Sequence, residues 1–220
     1  MTTHILQPRK SMIEPAVPMG QLRSPGWGYE LVKRSLDITL ASVGLLIISP
    51  LLLGCAVWIK LADGGPVLFW QWRAGRDGWL FRLWKFRTMT LDAEDRGAQL
   101  ASVGDRRILP GCSWMRKSHL DELPQLWNIL IGEMSLVGPR PERPEIIEEL
   151  RQELPRVEWR LTGPPGLTGL AQVRNGYSND VKGMRRKLAF DLKYLRRRST
   201  VGDLRLLVQT LPRCWDPTAC

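Results

Sequence analysis

The chain has 220 residues, of which 44% are hydrophobic, so it is long and apolar enough to bury a core. This length suits one domain with appendages and argues against two full domains. Its 32 Lys and Arg residues outnumber its 22 Asp and Glu residues, and the net charge of +10 favours a polyanionic partner: nucleic acid, an anionic membrane face or a phosphorylated substrate. The four cysteines form neither a CxxC pair nor a disulfide framework, which predicts a reducing compartment and no structural zinc.

An N-terminal arm over residues 1–28 is the first predicted segment. It contains four prolines and little apolar periodicity, which is typical of a disordered segment. It does not read as a signal peptide, because the apolar stretch begins late and no small-residue cleavage site follows it. We therefore expect no function to depend on a fold of this arm.

A membrane segment is predicted over residues 29–61. Asp37 is the only charge within residues 36–59, and the uncharged run at residues 41–59 approaches the ~30 Å thickness of a bilayer core at ~1.5 Å per residue. Ser49 and Pro50 interrupt it, and an internal proline predicts a kink. Lys and Arg residues flank both ends, so the positive-inside rule places both ends in the cytoplasm. A re-entrant helix-break-helix satisfies these features, with a true span and a buried core helix as the alternatives.

A β-hairpin is predicted directly after the membrane segment. Residues 65–69 and 81–86 are short extended segments separated by glycines, which is a hairpin pattern. Lys85 and Arg87 alternate along the second segment, so they are expected on one side of a strand, where two cations could hold a diphosphate. The alternative is an ordinary cationic strand face exposed to water.

Two adjacent carboxylates, Asp121 and Glu122, lie among basic residues. Ser118 precedes them and is expected to cap a helix whose first turn holds both acids, so that the helix dipole lowers their pKa values. Neighbouring acids can divide their tasks, one as an ionised nucleophile and the other as a metal ligand or proton carrier. The alternative is that the two acids simply favour a helix N-terminus.

Two further helices are predicted near the C-terminus. Residues 181–198 carry eight Lys and Arg residues among apolar positions, and residues 204–215 are again apolar with two arginines. Both patterns suit basic amphipathic helices in a membrane interface. The alternative is a helix that packs its apolar face on the protein core and exposes its cations to solvent.

An ordered series of motifs runs through most of the chain. The motifs are Lys33-Arg34 with Asp37, Ser49-Pro50, Pro66-Val67 followed by Gln71, Arg73 and Gly75, Lys85-Phe86-Arg87-Thr88-Met89, LDELPQLWN, MSLVGPRP, PGLTGLAQV and FDLKY. Together they resemble the bacterial sugar transferases, the catalytic domain of monotopic polyprenyl-phosphate phosphoglycosyl transferases, in the small single-domain form. The resemblance covers roughly residues 33–211.

The resemblance implies an α+β membrane-associated fold. Its parts are an N-terminal re-entrant helix-break-helix, a small β-hairpin and a helical catalytic domain with interfacial amphipathic helices. The catalytic domain is expected over residues 62–215 on the cytosolic side, followed by a C-terminal tail at 216–220. Ser49 and Pro50 would correspond to the break that keeps the membrane hairpin in one leaflet.

The resemblance also implies a reaction. A sugar-1-phosphate would move from a UDP-sugar to polyprenyl phosphate, with undecaprenyl phosphate as the default, releasing UMP and initiating an exopolysaccharide, O-antigen or other glycoconjugate. Asp121 would be the nucleophile that forms a covalent phosphosugar intermediate, and Glu122 would assist through Mg²⁺ as its metal ligand. The enzyme would work at the cytoplasmic face of the bacterial inner membrane.

Cationic residues and one further acid are the candidates for binding substrate. The residues expected to contact the substrate or its phosphates are Lys85, Arg87, Arg116, Arg140 and Asp191. Cations are needed because a carboxylate that attacks an anionic phosphorus requires positive charge to offset repulsion. Pro164 stands where the family commonly has a basic residue, and Arg160 is the candidate substitute. The divergent segment at residues 174–180 is where sugar specificity is expected.

Other function classes remain alternatives at this stage. One is a membrane-tethered polyanion-binding module that uses the basic helix around Arg185 and Lys187, and another is a scaffold without catalytic activity. The expected partners of the enzyme are a UDP-sugar, polyprenyl phosphate and membrane lipids, with a homodimer possible and no nucleic acid. Replacing Asp121 by Asn separates the enzyme from both alternatives, because only the enzyme loses its function.

Overall fold

The computed structural model describes residue 13 and residues 25–93, 105–175 and 181–213. The predicted arm at 1–28 lies almost entirely outside these ranges, and the tail at 216–220 lies wholly outside them. Most of the segment expected to set sugar specificity, at residues 176–180, also lies outside the described residues.

Helices and two small sheets make up the described fold. The helices are α1 Trp27–Asp63, α2 Ser113–Lys117, α3 Gln125–Ile131, α4 Pro144–Glu153, α5 Leu170–Asn175, α6 Val181–Arg197 and α7 Thr200–Thr210. The strands are β1 Leu68–Ala74, β2 Leu80–Phe86, β3 Ser135–Val137 and β4 Gly166–Thr168. Short 3-10 turns lie at Arg76–Gly78, Leu120–Glu122, Val157–Thr162 and Leu211–Arg213. This mixed helix and sheet composition agrees with the expected α+β class.

Helix α1 is one long apolar element. Among the described residues it alone is long and apolar enough to cross a membrane. Pro50 lies inside it and lacks the N–H that would donate to the carbonyl of Leu46. The Ser49 hydroxyl donates to that carbonyl at 2.8 Å, so the polar group freed by the proline is satisfied within the helix. The helix ends at Gly64, whose left-handed backbone (φ 71°) lets its N–H donate to the Lys60 carbonyl at 3.0 Å.

The predicted hairpin is present, but its first strand is β1 Leu68–Ala74, so the segment expected at residues 65–69 overlaps it only at its end. Strands β1 and β2 pair in antiparallel register, and Lys85 lies directly opposite Phe69. Asn128 of α3 fixes this hairpin to the rest of the protein, because its side-chain amide donates to the Arg82 carbonyl at 2.7 Å and its oxygen accepts from the Trp84 N–H at 3.1 Å. The hairpin thereby presents Lys85 at a defined place beside α3.

A second sheet was not predicted from the sequence. Strands β3 and β4 pair in parallel, each with only three residues. The Gly166 N–H donates to the Pro139 carbonyl at 2.8 Å, and a Cβ atom on Gly166 would lie 2.0 Å from the Gly138 nitrogen. Only glycines therefore permit this close approach of two backbones. The approach fixes the chain that leaves β3, which is the segment containing Arg140.

The C-terminal helices differ in their packing. Leu188, Leu192, Tyr194 and Leu195 of α6 are buried in the largest apolar cluster, so α6 packs its apolar face on the core. Helix α7 buries Leu206 in the same cluster but leaves a row of large apolar side chains exposed. That row consists of Val201, Leu204, Val208 and, just beyond the helix, Leu211.

The N-terminal half of α1 is held by polar contacts with the folded domain. Lys33 is 7% exposed, and its ammonium donates to Asp203 of α7 at 2.8 Å and to the Val137 carbonyl of β3 at 2.9 Å. Asp37 accepts from the Leu136 N–H at 2.9 Å. Strand β3 is therefore fixed by α1 on one side and by β4 on the other.

The C-terminal half of α1 is held mainly by apolar contacts. Cys55 and Ile59 are 2% and 0% exposed, and they pack with Phe86, Cys112 and Met115. These partners belong to the end of β2 and to α2 with the residue preceding it. The two halves of α1 thus contact two different parts of one folded domain.

Candidate active site

The adjacent acids lie in a sharp turn between α2 and α3. Ser118 ends α2, and its hydroxyl donates back to the Trp114 carbonyl at 2.7 Å. The prediction that Ser118 caps a helix containing both acids is therefore wrong. His119 follows in a left-handed conformation (φ 54°), and the change of direction places Asp121 and Glu122 in a 3-10 turn instead of a helix.

Glu122 is held by two cations. Lys85 donates to its Oε1 at 3.0 Å, and Arg140 binds both carboxylate oxygens, with Nη1 donating to Oε2 at 3.0 Å. Burial alone would raise the pKa of this carboxyl, but the charges of Arg140 and Lys85 hold its pKa well below the usual range. Glu122 is therefore ionised and fixed in place at neutral pH.

Asp121 has a different environment. It is 6% exposed, and no described residue donates a hydrogen bond to its carboxylate. Burial raises the pKa of Asp121, and the neighbouring charge of Glu122 raises it further, while Lys85 and Arg116 act in the opposite direction. The expectation that a helix dipole lowers this pKa is wrong, because the pair does not lie in the first turn of a helix. Asp121 is the unpaired carboxylate of the two.

Arg116 is a third cation near the pair. It projects from α2, and its Nη1 donates to the Thr88 hydroxyl at 3.3 Å. Its positive charge reaches Asp121 and opposes the raised pKa of that acid. The structure thus brings three of the predicted substrate-binding residues, Lys85, Arg116 and Arg140, to the acid pair.

The backbone of Arg140 is held from behind. Arg160 donates through Nη2 to the Arg140 carbonyl at 2.8 Å, and Arg73 donates to the Pro141 carbonyl at 3.3 Å. The two prolines around Arg140 also restrict its backbone. These contacts fix the guanidinium on Glu122 with little conformational entropy left to lose.

A second charged cluster surrounds Arg160. Its guanidinium contacts Asp191 at 2.8 Å and Glu142 at 3.2 Å, and Lys187 of α6 also binds Glu142. Burial would raise the pKa of Glu142, but the charges of Lys187 and Arg160 lower it to about 2. Asp191, predicted to bind substrate, is 1% exposed and lies in this cluster, not beside Asp121.

Arg87 also lies away from the acid pair. The pairing continues past Phe86, since the Arg87 N–H donates to the Val67 carbonyl at 2.9 Å, so a different side-chain partner, and not a break in the extended chain, separates Arg87 from Lys85. Arg87 forms an ion pair with Asp63 at the end of α1. Lys85 and Arg87 therefore do not face a single ligand.

The fit of Mg²⁺ to the pair follows from the lone pairs of Glu122. Lys85 and Arg140 use about three of its roughly four acceptor positions, which leaves one position on Oε2. Mg²⁺ commonly takes one or two protein carboxylates and completes its shell with substrate phosphates and water. The residues present thus fit such an ion, although no group of three or more metal-binding side chains occurs within the described ranges.

Several residues of this site were not found from the sequence. Glu142 and Lys187 carry no motif signal of their own, because each acts through a distant partner. Thr88 lies within a recognised motif but carried no predicted role, and Asp63 lies shortly before the motif at Pro66. Only their three-dimensional contacts identify them.

Comparisons with known proteins add to this geometry. The family described as bacterial sugar transferase matches residues 28–216. A UDP-N-acetylgalactosamine-undecaprenyl-phosphate N-acetylgalactosaminephosphotransferase of Aeromonas hydrophila is 40% identical over 183 residues, which cover 83% of this chain and 43% of that protein. A UDP-glucose:undecaprenyl-phosphate glucose-1-phosphate transferase of Escherichia coli K12 is 38% identical over 199 residues, which cover 90% of this chain and 43% of that protein.

A shorter relative matches over more of its own length. A UDP-glucose:undecaprenyl-phosphate glucose-1-phosphate transferase of Caulobacter vibrioides is 39% identical over 190 residues, which cover 86% of this chain and 71% of that protein. The chain thus spans less than half of the first two relatives and about seven tenths of the third.

Proposed function

Because this chain belongs to the bacterial sugar transferase family, we propose that it transfers a sugar-1-phosphate from a UDP-sugar to undecaprenyl phosphate and releases UMP. The observation that carries the proposal is the unpaired, buried carboxylate of Asp121 beside a Glu122 that is neutralised by two cations. Such a pair provides one free nucleophile within a cationic site that suits a diphosphate. The names of the relatives support the two substrate classes.

The proposed chemistry has two displacements at one phosphorus. In the first, a carboxylate oxygen of Asp121 attacks the β-phosphorus of the UDP-sugar. The bond from this phosphorus to the bridging oxygen breaks, and UMP leaves with the electron pair. In the second, a phosphate oxygen of the polyprenyl phosphate attacks the same phosphorus, which breaks the bond to Asp121 and regenerates the carboxylate. The product is a polyprenyl diphosphate sugar.

The surrounding cations have separate tasks in this proposal. Lys85 and Arg140 neutralise Glu122, so that the anionic diphosphate meets one uncompensated carboxylate instead of two. Arg116, whose charge acts on Asp121, would stabilise the charge that develops on the phosphoryl oxygens. Desolvation of Asp121 supports its role, because a poorly solvated carboxylate loses little hydration when it attacks.

A divalent cation is part of the proposal. The free acceptor position on Glu122 Oε2 would hold Mg²⁺ together with the donor's phosphates. When bound, the ion supplies positive charge to the phosphoryl oxygens. Removal of divalent cations with EDTA is expected to abolish UMP release, and added Mg²⁺ is expected to restore it.

We further propose that α1 enters and leaves the cytoplasmic leaflet of the bacterial inner membrane. Its 37 residues correspond to ~55 Å, well beyond the ~30 Å core of a bilayer. Its two ends contact one domain, through Lys33 near the start and Asp63 at the end. Leu46, Ile47 and Leu53 near its middle are 77%, 70% and 67% exposed, which suits contact with lipid.

The exposed row on α7 extends the proposed membrane contact. Val201, Leu204, Val208 and Leu211 form an apolar face that would lie in the headgroup boundary. A second protomer is the other occupant that this face could accept. Crosslinking from position 208 distinguishes the two occupants. Crosslinks to lipid support a membrane contact, and crosslinks to a second copy of the chain support a dimer.

The experiment that tests the proposed function measures UMP. The purified protein, in detergent or nanodiscs, is offered a panel of UDP-sugars with undecaprenyl phosphate and Mg²⁺. UMP release with one donor, lost in Asp121→Asn, supports the reaction and the nucleophile together. If folded protein released no UMP with any donor, the result would contradict the proposal and would favour the alternative of a polyanion-binding module.

A further inference from the structure

Arg87 is held by the end of α1. Its Nη1 donates to Asp63 Oδ2 at 2.6 Å, and its Nη2 donates to the other oxygen of the same carboxylate. Its Nε donates to the Pro66 carbonyl at 2.5 Å. All three guanidinium nitrogens are engaged, and the side chain is 3% exposed, compared with 20% for Lys85 and 26% for Arg140. Little of Arg87 remains available to a soluble substrate.

The chain around this ion pair leaves room for it. A Cβ atom on Gly65 would lie 2.8 Å from Arg87 Nη2 and 3.3 Å from Asp63 Oδ1. The Gly65 N–H also donates to the Asp63 carboxylate at 3.0 Å. The turn after α1 is thus shaped around a bidentate pair, the geometry that a guanidinium and a carboxylate favour.

The residues near Arg87 in the chain contact the acid pair or a cation beside it. Two residues before Arg87, Lys85 donates to Glu122 at 3.0 Å. One residue after it, the Thr88 hydroxyl accepts from Arg116 at 3.3 Å. A fixed Arg87 therefore also fixes Lys85, which binds Glu122, and Thr88, which accepts from Arg116.

Apolar contacts accompany the ion pair. Cys55 of α1 and Cys112 before α2 are buried in one cluster, at 2% and 0% exposure. Trp58 donates through Nε1 to the Gly111 carbonyl at 3.1 Å. The C-terminal half of α1 thus contacts both β2, which carries Lys85, and the segment that leads to Arg116.

We propose that the Asp63–Arg87 ion pair is a positioning device that joins the end of the membrane helix to the active site, and that Arg87 does not bind substrate phosphate. The pair holds Lys85 and Thr88 in register with Glu122 and Arg116. The kinetic test of this inference rests on the proposed function, whereas the labelling test rests on the fold alone.

The kinetic test is a double-mutant cycle of Asp63→Asn and Arg87→Gln, read as UMP release. Each single change is expected to lower kcat by ~10-fold with KM for the UDP-sugar within about twofold, because orientation is lost and substrate contacts remain. The double variant is expected to be no slower than the slower single variant, since both changes remove one shared interaction.

A phosphate-binding role for Arg87 predicts a different pattern. Asp63→Asn would then leave kcat and KM unchanged, whereas Arg87→Gln would raise KM. That pattern would overturn the proposal. Asp63 is the primary site of change because it lies partly exposed at a helix end, so its replacement by Asn leaves the buried core untouched.

The labelling test needs no activity. Cys214 and Cys220 are first replaced by Ser, and a maleimide then reports on Cys55 and Cys112. Both thiols are expected to be protected in this parent and to react ~10-fold faster in Asp63→Asn, because opening of the α1 contact exposes them. Unchanged protection in Asp63→Asn would overturn the proposal.

A matched control breaks a different contact between α1 and the hairpin. Arg76 and Glu30 form an exposed pair at 3.5 Å, so Arg76→Gln is expected to leave both thiols protected. Suppose that both thiols are protected in the parent and exposed in Asp63→Asn, but that the parent releases no UMP with any donor. That result would contradict the proposed function alone. The two failures are thereby distinguished.

Discussion

Two buried acid pairs, both surrounded by Lys and Arg, differ in one respect. Glu142 and Asp191 share Arg160, and Lys187 completes the neutralisation, so each carboxylate of this cluster has a partner. Around Asp121 and Glu122 the cations are divided unevenly. Lys85 and Arg140 both bind Glu122, and no described side chain donates a hydrogen bond to Asp121.

The difference indicates that the Glu142 cluster serves the stability of the fold, whereas Asp121 serves the reaction. A buried carboxylate that binds two cations has a lowered pKa and stabilises the fold at neutral pH, as Glu142 illustrates, whereas burial raises the pKa of Asp191, which shares Arg160 with it. An unpaired one has a raised pKa and costs stability when ionised, as Asp121 illustrates. A protein retains such a residue where its reactivity is needed. The two clusters are joined through Arg160, which donates to the Arg140 carbonyl, so the paired cluster supports the unpaired one.

The largest expected effect comes from Asp121→Asn. UMP release should fall by at least ~10³-fold, the scale on which loss of a nucleophile acts. The same change should raise the melting temperature at pH 7, because it removes a buried charge without a partner. This gain should disappear below the ordinary Asp pKa of 3.8, where Asp121 is protonated in both states. A variant that is inactive and also less stable would contradict the conclusion that ionised Asp121 costs stability.

Glu142→Gln should have the opposite effect on stability at pH 7. The pKa of Glu142 falls from 4.5 to about 2 on folding, which corresponds to about 3 kcal/mol of stability at pH 7. That contribution is present above pH 4.5 and is lost as pH falls toward 2. Urea unfolding at pH 7 should therefore show a loss near this size. A stable but inactive Glu142→Gln protein would place Glu142 in the chemistry and contradict its supporting role.

Arg140→Lys tests whether the bidentate contact with Glu122, and not positive charge alone, is needed for activity. Lysine keeps the charge but cannot bind both oxygens of Glu122, so kcat should fall by about 10-fold while the melting temperature changes little. Steady-state kinetics beside thermal unfolding measure both quantities. The matched change Arg76→Lys, in the exposed pair that Arg76 forms with Glu30 at 3.5 Å, should leave kcat unchanged.

A smaller effect concerns pH. The reaction requires ionised Asp121, so its rate should fall as pH drops through the raised pKa of that acid. Glu122→Gln removes the neighbouring negative charge and should move this acid limb to lower pH, in addition to reducing kcat. A pH–rate profile of the variant tests the sign. An acid limb that moves to higher pH would show that Glu122 does not raise the pKa of Asp121.

The sequence predicts the local features of this fold well. The hairpin, the long apolar helix and the basic helix α6 each follow from periodicity and turn residues, and all three are present. The motif series also includes Asp121 and Glu122, and two of its cations, Lys85 and Arg140, bind Glu122. These predictions succeed because each depends on residues that are close in the chain.

Features that depend on distant contacts do not follow from the sequence. Strands β3 and β4 have three residues each, too few for any period, and they exist through the close approach of Gly138 and Gly166. Arg87 and Asp191 carry motif signals but contact Asp63 and Arg160, partners 24 and 31 residues away. The turn at His119 could not be foreseen either, because a left-handed histidine has no strong sequence signature.

The most direct test of the account is a search for the covalent intermediate. The protein is incubated with a UDP-sugar that carries ³²P at the β-phosphate, without polyprenyl phosphate, and the labelled peptide is identified after proteolysis. Label is expected on the peptide containing Asp121, with no label in Asp121→Asn, and it should be discharged when undecaprenyl phosphate is added. An active protein that never carries label, and that releases UMP only when the lipid phosphate is present, would contradict the account.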